Sequence, residues 1–393
     1  MVTHPTIALD DPDFYAGDPY PGYAWLRAND PVHRYDEADQ SFWALSRHTD
    51  VQHVSKHPEL FRSGEGVLLS DLLAGGATND SIIYLDPPKH QKHRKLVSPS
   101  LTIRRVGDLE PRVRTITTEL LDAIDPTQPV EVVDAVSSLL PLFVIAELLG
   151  VPRSDFERFR RWSDAAIAAG SEPTDEAFAL AAELFLYLAD AVAARRDDPG
   201  DDLISVVLAG RVDGESLTDN EINMFCFTLL VAGNETTRNL ISNGLVALAE
   251  HPDQRALLAA DPSRMALGVE ELLRWEPPVN SFCRRATQDV ELGGQQIPEG
   301  DFVVMLYGSA NRDEEAFGPT AGALDVTRDP NPHVSFGYAE HFCMGAGLAR
   351  LEGRVLFEEV LRRWPRYELA GDVERLPSRL VRGIGELPIA FEP

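Results

Sequence analysis

Residues 217–253, LTDNEINMFCFTLLVAGNETTRNLISNGLVALAEHPD, set the strongest constraint on what this chain can fold into. Thr218 with Glu221 three positions later is a capping-box pattern that opens a helix. Nothing interrupts the pattern until the His-Pro-Asp sequence that follows Glu250. Some thirty residues at 1.5 Å rise make a helix of roughly 45 Å, the width of a whole domain. Its middle is apolar on nearly every face, so other elements must wrap around it. Two residues fit that burial badly. Gly233 costs about 1 kcal/mol against Ala in a helix interior, and Glu235 is expensive to bury unpaired. Either the glycine is tolerated and Glu235 points to water, or something bulky lies against the backbone at Gly233, with an acid and an alcohol, Thr236, beside it.

Elsewhere helical periodicity dominates. RVRTITTELLDAI (112–124) and EAFALAAELFLYLADAVAARR (176–196) carry apolar residues at three- and four-residue spacing. Strand signals are fewer: FWALS (42–46), and VELGGQQIPEGDFVVMLY (290–307), which reads as strands joined by Gly- and Pro-bearing turns. The expectation is a mainly α chain with a minor β part (α+β) drawn from both ends of the sequence. The 393 residues contain no repeat, low-complexity tract or obvious linker, so one large unit spanning 1–393 fits better than domains in series. A net charge of −27 repels nucleic-acid backbones and argues against that class of partner. The N-terminal MVTHPTIALDDPDFY lacks the regions of a signal peptide. The longest apolar run, Met224 to Gly233, is too short for a membrane span. Cys226, Cys283 and Cys343 are far apart and form no CxxC pair, which fits neither a disulfide framework nor a zinc ribbon. A cytoplasmic protein is expected.

Cys343 raises its own question. It sits in SFGYAEHFCMGAGLARLE (335–352), a glycine-bearing loop with Phe336 and Phe342 before the cysteine and a helix-forming run after it. Free cysteines are usually buried structural thiols, and Cys226 suits that role. At Cys343 the neighbouring Gly345 and His341 favour another use. A nucleophile with His341 as base would need that base poised and oriented by a third group. A thiolate ligand would be helped by the free N–H groups and dipole of the following helix. A lone thiolate cannot close a zinc site, whereas one thiolate with an open opposite face is what a haem iron needs.

FGYAEHFCMGAGLAR resembles the haem-binding loop of the cytochrome P-450 family, FxxGxxxCxG followed by a helix. Four further family signatures occur in order. DPPKHQKHRKLVSPSLT (86–102) is similar to the haem-contacting helix of bacterial members, and AGNETT (232–237) to the central oxygen-activation helix. EELLR (270–274) matches the ExxR helix through Glu271 and Arg274, and RRATQDVELGG (284–294) resembles the strand that gives an arginine to the haem. The resemblance runs from ALDDPDFYAGDPYPGYAWLR to GIGELPIAF. It implies the P-450 fold as a single haem domain, haem b as cofactor, and Cys343 as the iron ligand. It also implies that His90, Arg94, Arg284 and His341 serve the haem propionates, and that Phe336, Gly345, Ala232 and Gly233 contact the haem. Glu271 and Arg274 would be a structural pair, and Glu235 and Thr236 would supply protons for dioxygen cleavage.

Two positions depart from the family pattern. Ala339 stands where a loop glycine is usual, and Ala323 where an arginine usually joins the Glu271–Arg274 pair, so that third member is expected to be absent. The implied activity is a monooxygenase acting on a small lipophilic substrate with O2, fed by a separate ferredoxin and ferredoxin reductase; a monomer is expected. An acidic ferredoxin would dock on the cysteine side, where KHQKHRK (89–95) concentrates cations. A peroxygenase would typically lack the acid–alcohol pair, and a haem sensor or carrier would not need it. By family position the substrate wall lies in 66–83, Leu230–Gly233 and 278–282. Val67, Leu68, Leu69, Leu72, Leu73, Ile82, Ile83, Val231, Val279 and Phe282 make it apolar, with Asn280 and Ser281 as sparse polar anchors. Such a wall suits a sterol or terpenoid, with a macrolide or other polyketide as the rival and with some of these residues simply packing the core.

Overall fold

The computed structural model describes residues 6–37, 41–171 and 174–392; the first five residues of the N-terminal stretch considered above as a signal peptide lie outside them. The long helix runs Asp219–Glu250, 32 residues. Its start is capped reciprocally: the Glu221 N–H donates to Thr218 Oγ1 at 3.2 Å, and the Thr218 N–H donates to Glu221 Oε2 at 2.9 Å. From Leu240 to Leu248 every residue is buried, as an all-round apolar surface requires. Helices Leu139–Leu148, Asp175–Asp197, Met265–Trp275 and Ala346–Arg363 pack around it. The crossing with Ala346–Arg363 is close. A Cβ on Gly244 would collide with the Phe357 ring, and one on Gly353 would stand 3.1 Å from Leu240.

The β part does draw on both ends of the chain. One five-stranded sheet has the order Val32–Tyr35, Phe42–Leu45, Phe302–Leu306, Ser281–Ala286, Phe61–Arg62. Phe42–Leu45 lies parallel to Phe302–Leu306, with Trp43 opposite Val303, and the remaining pairs are antiparallel. Phe302–Leu306 is buried along its whole length, which its near-continuous apolar sequence, FVVML, fits. Strand Ser281–Ala286 beside it carries Arg284 inward.

Helix Asp175–Asp197 is, by length and composition, apolar enough to cross a membrane. Here Leu184, Leu188 and Val192 sit in a core shared with Phe159, Ile204 and Leu230. The fold thus sets one helix through the middle and a sheet to one side, with the cysteine loop entering helix Ala346–Arg363 alongside both.

Candidate active site

The cysteine loop is shaped by two backbone features. Gly337 (φ 71°) and Ala339 (φ 53°) both lie in the left-handed region. Ala339 therefore keeps the conformation that a glycine would take freely, at the strain cost that a Cβ brings there. The Cys343 N–H donates to the Phe336 carbonyl at 2.8 Å, and the sulfur accepts from the N–H groups of Gly345 and Ala346 at the start of helix Ala346–Arg363. Cys343 is exposed, yet burial is the largest influence on its thiol and raises its pKa against those N–H groups, Arg94 and Arg350. A sulfur that is both accessible and hemmed in by protein faces a recess. The helix terminus does not by itself make a thiolate there; a coordinated cation does.

Cations gather beside that recess. His90 and Arg94 share one face of helix Lys89–Val97, Arg284 comes from the sheet, and His341 comes from the loop. The His90 and His341 rings stack with centroids 4.1 Å apart. His341 Nε2 lies 3.2 Å from Ser63 Oγ, and His90 Nδ1 lies 3.2 Å from Glu340 Oε1. Burial, followed by the charges of Arg284, His90 and Arg94, pushes His341 down to about 2. Burial also works against the charge on Arg284 and Arg94. Arg284 is buried and donates to the Cys283 carbonyl; among the described residues no carboxylate pairs with it. Two guanidiniums with no ion-pair partner among the described residues, on which Asp86 and Glu340 act only from further off, call for further negative charge. The two propionates of haem b would supply it, and Cys343 would offer the iron a ligand, so the residues present fit that group.

The long helix passes the recess with Ala232 exposed, although Asn234, Glu235 and Thr237 beside it are buried. Thr236, one turn on, donates from Oγ1 to the Ala232 carbonyl at 2.6 Å. Glu235 does not point to water. It is buried; Oε1 accepts from Asn239 Nδ2 at 3.2 Å, and Oε2 has no hydrogen-bond partner, with Arg238 3.6 Å away. At Gly233 the bulky neighbour in the Cβ direction is protein: Ile145 of helix Leu139–Leu148, 2.8 Å from where a Cβ would stand. Cys226 is a buried thiol pushed up to about 12 by burial.

Glu271 and Arg274 form a fully buried bidentate pair, 2.7 Å on both arms. Contrary to expectation the third member is present. Arg328 Nε reaches Glu271 Oε2 at 3.1 Å, and Asn331 Nδ2 adds a bond at 3.0 Å. The substitute comes from TRDPNP, five residues beyond Ala323, and Ala323 still contributes its carbonyl to Arg274. Arg274 also donates to the Asn311 carbonyl at 2.9 Å, and the Asn311 side chain holds the Val334 N–H and Ser335 Oγ. Sequence reasoning missed a second tie. Glu270 takes both arms of Arg350 at 2.6 and 2.8 Å and also His333 at 3.1 Å. Burial would raise its pKa, but these bonds hold it at about 2. The Arg350 guanidinium in turn lies 4.5 Å from the Phe336 ring centre. The only signal for this tie was Glu270 within EELLR and Arg350 within GLAR.

The expected substrate wall divides. Leu69 and Leu72 pack with Leu26, Val304 and Leu306 and are corrected to core. Val67 is buried, its carbonyl accepting from the Cys283 N–H at 2.7 Å. The Asn280 amide donates to the Ser378 carbonyl at 3.0 Å, so its donor is committed to the fold. Ser281 Oγ is buried without a partner. Leu68, Leu73, Ile82, Ile83, Val231, Val279 and Phe282 remain partly exposed. Ser81 Oγ, 3.1 Å from Thr228 Oγ1, ties the 66–83 segment to the long helix.

The chain matches the cytochrome P-450 family model over residues 175–261 and 266–375. It is 39% identical to the vitamin D(3) 25-hydroxylase of Pseudonocardia autotrophica over 99% of this chain and 98% of that one. Its fold superposes on that of CYP109E1 from Bacillus megaterium, in complex with testosterone, with a TM-score of 0.87 at 34% identity, covering 95% and 99% of the two chains. The cytochrome P-450 PksS of the Bacillus subtilis bacillaene polyketide synthase gives a TM-score of 0.89 at 32% identity, covering 97% and 98%. The chain belongs to the cytochrome P-450 family. It is a haem-thiolate monooxygenase with haem b as cofactor.

Ala339 gives a direct test of the loop geometry. Ala339→Gly removes a Cβ from the left-handed region and is expected to stabilise the haem-loaded protein by about 1 kcal/mol, read as a higher midpoint in thermal unfolding. An unchanged or lower midpoint would show that the loop carries no strain there.

Proposed function

We propose that this enzyme hydroxylates a sterol- or terpenoid-like molecule, using O2 and electrons from a separate ferredoxin and ferredoxin reductase, and that residues 1–393 work as one monomeric haem domain in the cytoplasm. The observation that carries the substrate class is the wall. Its accessible members Leu68, Ile82, Val231, Val279 and Phe282 are apolar, while of the neighbouring polar side chains the Asn280 amide is tied to Ser378 and the Ser281 hydroxyl is buried. A cavity lined this way selects by shape and apolar area. The vitamin D(3) hydroxylase and the testosterone complex among its relatives support the same class.

Bound haem b supplies the redox chemistry that splits dioxygen and places one oxygen atom in the substrate. The protein's share is holding, charge balance and protons. Cys343 would ligate the iron, with the N–H groups of Gly345 and Ala346 bearing on its sulfur. Arg94 and Arg284 would neutralise the propionates, His90 and His341 would hydrogen-bond them as neutral rings, and Phe336, Ala232 and Gly233 would contact the haem. Thr236 and Glu235 move the protons. In the resting helix the Thr236 hydroxyl is turned onto Ala232, and rotation about χ1 presents it to the recess. Glu235, with one oxygen on Asn239 and the other 3.6 Å from Arg238 and without a hydrogen bond, is able to trade partners and pass protons inward. This pair favours a reductase-driven cycle over a peroxide-driven one and gives a sensor or carrier nothing to do. The likeness to PksS supports a second reading, oxidation of a polyketide.

Cys343→Ala should lose the red-displaced Soret band that the reduced, carbon monoxide-bound protein shows with thiolate ligation; a retained band would remove Cys343 as the ligand. Thr236→Ala should still bind substrate and consume NADH through its partners, while releasing peroxide in place of most of the product. Full coupling in that variant would take Thr236 out of proton delivery. Titrating sterols, terpenoids, fatty acids and macrolactones into the ferric enzyme separates the two substrate readings. Sterols or terpenoids are expected to shift the spin state at low micromolar concentration, and a shift by macrolactones alone would decide for the polyketide.

A further inference from the structure

We infer that Ile103 is the apolar anchor of the surface on which the electron donor docks, with Lys95, Arg104 and Arg105 as its cationic rim. The inference rests on the ferredoxin reading above and names the contact at its centre. Ile103 is 94% exposed, ahead of Leu186 at 65% and Phe178 at 57% among the exposed large apolar side chains. It opens the short helix Ile103–Asp108, and its place in the fold is fixed by Val106 on the same helix. Val106 is buried and lies 3.8 Å from where a Cβ on Gly347 would stand. Gly347 belongs to helix Ala346–Arg363, which starts just past Cys343. Ile103 is therefore on the cysteine side of the molecule.

The charge around it is unlike that of the rest of the chain. Lys89, Lys92, Arg94, Lys95, Arg104 and Arg105 fall between positions 89 and 105 with no Asp or Glu among them, in a chain of net charge −27. Lys89 pairs with Asp80 and Lys92 with Glu215, while Arg105 comes only within 3.9 Å of Asp201. Lys95 and Arg104 are exposed and pair with no carboxylate among the described residues. A strongly acidic surface repels an acidic protein everywhere except at such a patch. Rim charges set the encounter rate and its salt dependence. A desolvated apolar residue at the centre sets how long the complex lasts. A bare isoleucine followed by two exposed arginines, with Lys95 earlier in the same acid-free stretch, supplies both parts, and the occupant they fit is an acidic iron–sulfur protein with an apolar residue on its own docking face.

The test uses the haem-loaded enzyme and a plant-type [2Fe–2S] ferredoxin, with reduction followed under carbon monoxide over a series of ionic strengths. Ile103→Ala is expected to raise the ferredoxin Kd about tenfold with an unchanged salt slope, an unchanged melting temperature and unchanged reduction by dithionite. Arg104→Glu should slow association and flatten the slope, and Leu186→Ala, the control for any exposed leucine, should change neither. An unaltered Kd in Ile103→Ala, with a salt-dependent rate in the wild type, overturns the anchor and leaves the ferredoxin reading standing. Slower dithionite reduction in Ile103→Ala overturns it too, because the effect then lies at the haem. A wild-type rate that ignores salt removes the docking reading and the anchor with it.

Discussion

The buried pair Glu271–Arg274 is the interaction from which the functional end of this protein hangs. Two full charges with no exposure are costly to take out of water, and Coulomb attraction repays that cost only when the remaining valences are filled. Here they are. Glu271 accepts from Arg274, Arg328, Asn331 and the Asp325 N–H. Arg274 spends its other donors on the carbonyls of Asn311, Ala321 and Ala323. A segment with little regular structure, 311–335, is thereby held as firmly as a helix. Its far end, Val334 and Ser335, delivers the chain to Phe336, whose carbonyl receives the Cys343 N–H. The position of the sulfur is set by an ion pair that never touches it.

A second constraint is charge balance. The protein is acidic overall, yet its recess brings Arg94 and Arg284 together with His90 and His341. That arrangement is unfavourable taken alone, as the depression of His341 to about 2 by burial and neighbouring cations makes plain. A dianionic ring would complete it. Haem binding at these residues would couple to the folding of this end through electrostatics as well as through a bond from Cys343 to the iron.

Much of this was legible in the sequence because it rests on local chemistry. The capping box and the all-round apolar pattern placed Asp219–Glu250 to the residue, and the spacing around Cys343 announced the loop. Long-range substitutions were harder to see. With Ala323 in the usual arginine position the network looked incomplete, and only the fold brings Arg328 from five residues away to the same carboxylate. The tie from Glu270 to Arg350 and His333 was hidden for the same reason. Along 66–83 the leucines look alike in sequence; Leu69 and Leu72 were assigned to the wall because facing is decided by the turn of a single short helix, Leu69–Leu73. Ala339 was noticed as an exception, but its meaning, a left-handed residue without glycine, depends on a dihedral angle.

The five-stranded sheet has a consequence for biosynthesis. Apart from the local pair of Val32–Tyr35 with Phe42–Leu45, its N-terminal strands, ending at Arg62, find their partners in residues 281–306. Trp43 must wait for Val303, so more than two hundred residues leave the ribosome before that hairpin can join the sheet. Until then the hairpin of Val32–Tyr35 and Phe42–Leu45 shows an open, apolar edge, and closing so long a loop is slow. The aggregation-sensitive window of this enzyme therefore falls late in translation, and it closes when the segment FVVML emerges.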